Sequence, residues 1–87
     1  MIDNRELSRF EREENGALVF ARYGRAEGRL VIRHVEAAPI LRGTGAAGRL
    51  MSDIADYARA EKIPIVPLCG YASAWLRRNA RDLIAER

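Results

Sequence analysis

Cysteine is almost missing from this chain. Cys69 stands alone, so no internal disulfide can form and the fold must rest on its packing. Lys62 is the single lysine and His34 the single histidine, and no metal is expected. No apolar run approaches the roughly 18 residues that a membrane span needs, so no membrane is expected as a partner. The polar start Met1-Ile2-Asp3-Asn4-Arg5-Glu6 lacks the hydrophobic segment of a signal peptide, which makes the cytoplasm the expected location. Linkers, internal repeats and low-complexity stretches are absent as well. Residues 1–87 therefore read as one domain, able to bury about 60 to 65% of the surface its unfolded chain exposes. The net charge of +3 comes almost wholly from arginine. Arg5, Arg9 and Arg12 alternate with Glu6, Glu11, Glu13 and Glu14, a mixed solvated surface rather than a phosphate-tracking stripe. Nucleic acid is not expected as a partner, whereas a small anionic ligand suits the arginine excess.

Three stretches have strand character. Ser8 to Arg12 is followed by Glu14-Asn15-Gly16, where Asn-Gly signals a tight hairpin because both residues tolerate positive φ. Ala17 to Tyr23 is rich in β-branched, aromatic and aliphatic residues and is closed by a turn over Gly24 to Gly28. Arg29 to Ala37 is the third. Connections this short require an antiparallel meander, since parallel neighbours need crossovers of about a dozen residues.

Pro39 ends the third strand, and the period then changes. Ala47, Leu50, Met51, Ile54, Tyr57 and Ala58 lay one apolar stripe along a helix of about four turns, with Arg49, Ser52, Asp53, Asp56 and Arg59 mainly opposite. Ile63 to Leu68 reads as a fourth strand, in which Pro67 lacks the N–H a neighbour needs and favours a place where two strands part. Tyr71 to Asn79 is expected to be helical, and Arg81 to Arg87 a final short turn of helix. The fold class is α+β: a three-stranded meander, a helix, a splayed fourth strand and C-terminal helices.

Between the third strand and the long helix lies Arg42-Gly43-Thr44-Gly45-Ala46-Ala47. Glycines at 43 and 45 remove Cβ atoms that would hold an anion away from the backbone, so several N–H groups can converge on one phosphate. The positive pole of the following helix faces the same point, and Arg42 can add a charge-assisted hydrogen bond.

With these elements in order, the chain resembles the GNAT superfamily of acetyl-CoA-dependent N-acetyltransferases, and more closely its small single-domain branch. His34-Val35-Glu36, Leu41-Arg42-Gly43-Thr44-Gly45-Ala46-Ala47 and Ile65-Val66-Pro67-Leu68-Cys69-Gly70-Tyr71 carry the resemblance, which runs from about Phe10 to Leu83. Two departures stand out. In that branch the fourth strand leads into Pro-x-Cys-Pro and an aromatic residue, where this chain has Gly70, and a His-Pro pair follows near the C-terminus, where it has Asn79-Ala80. The resemblance implies a GNAT-like core and an acetyl-CoA site. The pyrophosphate would lie on Arg42, Gly43, Thr44, Gly45, Ala46 and Ala47, and the pantetheine beside Glu36, Ala37 and Ala38. The larger enzymes carry extra N-terminal helices that shape the acceptor site. Without them, either the acceptor pocket is open, suiting an exposed amine on a protein or polyamine, or a second subunit of a homodimer completes it.

Acetyl transfer to an amine needs a neutral amine, donors for the oxyanion and a proton for the departing thiolate. Glu36 is the first candidate base, acting through a water; its structural alternative is an exposed strand residue or an arginine partner. His34 shares a face with Glu36 and is a second candidate for the proton transfer, or is simply a half-buried histidine on a sheet. Cys69 falls where the fourth strand gives way to a helix, and it is either a nucleophile or acid, or a small buried apolar residue. Tyr71 is an alternative acid for which core packing is the plainer task. Trp75, Tyr57, Met51 and Phe20 are assigned to the core. Gly45→Val is expected to weaken coenzyme A binding much more than it changes the fold. Besides an N-acetyltransferase, a non-catalytic acyl-CoA binding or protein-interaction module and a basic nucleic-acid binder remain alternatives.

Overall fold

A computed structural model describes residues 1–85. Its sheet has strands β1 (Ile2–Asn4), β2 (Arg9–Glu14), β3 (Ala17–Ala26), β4 (Arg29–Ala37) and β5 (Ile65–Pro67), side by side in that order. The first four run antiparallel, and β5 joins β4 in parallel. Helix α1 (Ala46–Glu61) makes the crossover between them, and α2 (Gly70–Asn79) follows β5. The meander is thus present, but it gains β1, which sequence reading did not anticipate: Ile2-Asp3-Asn4 is too short and too polar to show a period. Arg81–Leu83 forms a 3-10 turn as expected of that region, after which Ile84 bridges Ile65; residues 86 and 87 of the expected turn lie outside the described residues.

Two tight turns set the register of the meander. Asn15 and Gly16 both have positive φ (51° and 75°), as do Glu27 and Gly28 (53° and 74°). Such two-residue turns match the right-handed twist of the strands they join. The second turn lies later than expected, because Gly24 does not end β3. It pairs with Val31 inside the ladder, and a Cβ there would come within 2.8 Å of the Arg33 guanidinium. A glycine in a strand here marks close approach of a neighbour rather than a turn.

Strand alternation sends Phe10, Val19, Ala21, Leu30 and Ile32 to one face, where Leu50, Met51 and Ile54 of α1 cover them; all eight are fully buried. The apolar stripe read from the sequence is the one α1 buries. Ala47 and Tyr57 at its margins are only partly covered. Phe10 stacks on Tyr23 with ring centroids 4.3 Å apart and meets Tyr57 at 5.4 Å, which locks β2, β3 and α1 together. The opposite face of the sheet carries Arg22, Arg33 and Glu36 exposed. Phe20 belongs to that face and not to the core to which it was assigned: it sits opposite Glu11 and Glu36, with the Arg9 guanidinium 4.5 Å over its ring. The run Ala17 to Ala21 is apolar on both faces, so its period is hidden.

Candidate cofactor and catalytic site

A register shift at Arg22/Tyr23 makes Arg33 an extra residue on β4. Such a bulge re-aims the strand beyond it. Ladder pairing between β4 and β5 stops at Ile32 and Pro67, and the N–H groups of Leu68 and Cys69 both turn back to the Ile32 carbonyl (2.9 and 3.4 Å). Beyond that point β4 continues alone on this edge, so Pro67 marks the parting expected of it. Ala38 donates to Leu18 in β3, and alternate residues of a strand point to opposite edges, so the N–H groups of Val35 and Ala37 face the opening.

After β4 the chain makes a 3-10 turn, Pro39–Leu41, and then the glycine loop. Gly43 (φ 78°) and Gly45 (φ 89°) are left-handed, and Gly45 caps α1. Arg42 and Thr44 donate their N–H groups to Pro39 and Leu41, and Ala46 donates to Thr44 Oγ1 at 3.3 Å. Those of Gly43, Gly45, Ala47 and Gly48 meet no acceptor among the described residues. The loop thus consumes every second amide from 42 to 46 internally and leaves those between them unspent, a concavity suited to phosphate oxygens. Nothing lies within 4 Å of a Cβ built on Gly43, so the approach there is open. Arg42 is exposed at the first corner of the loop, with no partner among the described residues.

Arg49, one turn into α1, is a residue that sequence reading left on the polar face of the helix. Its Nε and Nη2 grip the two carboxylate oxygens of Glu14 (2.8 and 2.7 Å), and Nη2 also donates to the Thr44 carbonyl at 3.1 Å. Arg12 donates to Glu14 at 2.7 Å and to Asp53 at 2.8 Å. Arg49 and Arg12 together hold the Glu14 carboxyl down at about 2, and Glu14 raises the Arg49 guanidinium in turn. The one local signal is that Arg49 follows Gly45 by a helical turn; its bond to Glu14 spans 35 residues and has none.

The structure brings His34 and Glu36 together, Nε2 to Oε1 at 3.1 Å, both partly exposed on the bare face of the sheet. Cys69 is half-buried against the core and is the N-cap of α2, the strand-to-helix junction expected of it. Tyr71 is 44% exposed, so core packing is not its task. Its hydroxyl lies 3.6 Å from where a Cβ on Gly48 would be, beside the Trp75 indole nitrogen at the same distance. Gly48 thereby lets α2 approach the first turn of α1. Trp75 is half-buried against the core, Met51 lies fully inside it, and Tyr57 accepts a hydrogen bond from Arg25 at its surface. His34 and Glu36 stand on β4, and Cys69 and Tyr71 follow β5, on the two sides of the parting. A cavity of about 450 Å³ beside β5, lined by Arg29, Val66, Pro67, Leu68 and Ser73, takes in none of these four.

Comparison with protein families decides the kinship: the model for GCN5-related N-acetyl-transferases matches residues 9–84. The chain belongs to this family. Its α+β sheet with two helices is a GNAT-like fold, and the family supports acyl transfer as the general chemistry. A search of curated proteins gives no match. Among the described residues no helix is long and apolar enough to cross a membrane, and no group of three His, Cys, Asp or Glu side chains stands where it could hold a metal.

Proposed function

We propose that this GCN5-related N-acetyl-transferase uses acetyl-CoA to acetylate an amine on a small molecule or a protein. The observation that carries the reading is the glycine loop, whose unspent amides stand at the end of a strand just parted from its neighbour. Bound acetyl-CoA supplies an activated thioester carbonyl. Residues 42 to 47 hold the pyrophosphate and Glu36, Ala37 and Ala38 flank the pantetheine. The Val35 and Ala37 N–H groups donate to the carbonyl oxygen as charge develops on it. Glu36, oriented by His34, takes the amine proton through a water. Cys69 or Tyr71 returns a proton to the leaving thiolate. A cytoplasmic location goes with this reading, and the bare face of the sheet gives a homodimer room to form.

Isothermal titration with acetyl-CoA tests the reading, and no detectable binding at millimolar ligand overturns it. Glu36→Gln, which keeps the shape of the side chain beside the pantetheine, is expected to lower kcat/KM by roughly 10²- to 10⁴-fold and to change acetyl-CoA affinity far less, as removal of a general base requires. A second reading, a non-catalytic acyl-CoA binding or protein-interaction module, is favoured by Gly70 and Asn79-Ala80 standing where the branch carries proline and His-Pro. Saturable binding with no acetylation across a broad amine panel selects it.

A further inference from the structure

We propose that Arg49 is a phosphate-binding side chain of the donor site, held ready by Glu14. The inference rests on the reading of residues 42 to 47 as the coenzyme A loop. Of the three guanidinium nitrogens, Nε and Nη2 are committed to Glu14 and to the Thr44 carbonyl. Nη1 has no acceptor among the described residues, and it lies 3.0 Å from where a Cβ on Gly45 would be. It therefore stands over the glycine whose own amide is unspent.

Electrostatics favours an anion at this point. A guanidinium in the first turn of a helix meets the positive pole of the dipole, an arrangement that disfavours it by itself. Glu14 and Asp53 together balance the charges of Arg49 and Arg12, so this cluster leaves an unused donor at Nη1 rather than a net charge. The positive pole, Arg42 and Nη1 are left facing the loop. A diphosphate answers all three, and its oxygens accept from Nη1 and the free amides at once. Glu14 acts as a positioning residue, since the bidentate fork fixes the guanidinium plane before any ligand arrives.

Calorimetric titration of coenzyme A at low and high salt, with wild type, Arg49→Ala, Arg49→Gln and Arg49→Lys, tests the proposal. Removing one charge-assisted bond is expected to weaken binding by at least tenfold at low salt. The gap between wild type and Arg49→Ala should narrow at high salt, because the lost interaction is a screened charge contact. Arg49→Gln should resemble Arg49→Ala, and Arg49→Lys should regain part of the affinity. Thermal midpoints of the same variants identify any that fail to fold, and Arg49→Gln then replaces Arg49→Ala. Wild type that binds coenzyme A while the folded charge-removed variant binds equally tightly overturns the role of Arg49 and leaves the loop reading standing. A loss of the same size at both salt concentrations assigns Arg49 a structural role and overturns the proposal too. Wild type that does not bind at all removes the loop reading itself.

Discussion

Glu14 shows how much one side chain can tie together. Its carboxyl is held at about 2, well below the 4.5 of a free glutamate, first by Arg49 and then by Arg12. A depressed folded pKa adds stability that is complete above 4.5 and fades as the pH falls towards 2. Thermal midpoints taken across that window should therefore fall less steeply for Glu14→Gln than for wild type, and parallel acid limbs would deny the pair this role. Gly45 carries a second lesson. Sequence alone suggested that a valine there would act on the ligand more than on the fold. Gly45 sits at φ 89° with the Arg49 guanidinium where a side chain would go. A β-branched residue must adopt a left-handed backbone costing about 1–2 kcal/mol and must displace Arg49. Gly45→Val is accordingly expected to lower stability by about that amount, measurable by urea titration, along with coenzyme A affinity.

Among the elements, α1 was the most legible and the strands the least. Its stripe at 47, 50, 51, 54, 57 and 58 predicts the buried face, because a helix with one wet side leaves a period in its sequence. Its end is marked too: Lys62 takes the left-handed conformation at φ 57°, and its N–H returns to Ala58 and Arg59. Lysine is strained there while glycine is not, so Lys62→Gly should stabilise the protein by about 0.5–1 kcal/mol in chemical denaturation, despite losing a cation near the helix end. The backbone of the glycine loop was likewise readable, since Gly43 and Gly45 take the positive φ that glycine adopts without cost ahead of a helix. The sidedness of Phe20 was not, because Leu18 on its own face and Val19 and Ala21 on the other are all apolar. Neither was the Arg33 bulge, which depends on the pairing of β3 with β4 and has no local signature. The Glu14–Arg49 pair escaped for the same reason, its partners meeting only after α1 has folded back across the sheet.

For the molecule as a whole, one core serves both the sheet and the two helices, and Phe10 lies where strands and helix meet. Phe→Ala in a buried site costs about 3–5 kcal/mol, against a total of roughly 4–13 kcal/mol for a chain of 87 residues. Phe10→Ala should therefore consume much of the margin of stability and bring the thermal midpoint down steeply in calorimetry; a small shift would mean that Tyr23 and Tyr57 close over the void. The two borders of the sheet have a different consequence. On one side β1 is three residues long, with Asp3 on it paired to Arg5 and Arg25. On the other, β5 is equally short, ends in Pro67 after a preceding Pro64, and has Ile84 bridged alongside. Short, charged or proline-bearing margins offer a passing chain few backbone groups to pair with. Edge-to-edge growth with a second copy is thus discouraged along β1 and β5, and the open backbone that remains on the β5 side is the stretch of β4 beyond Ile32.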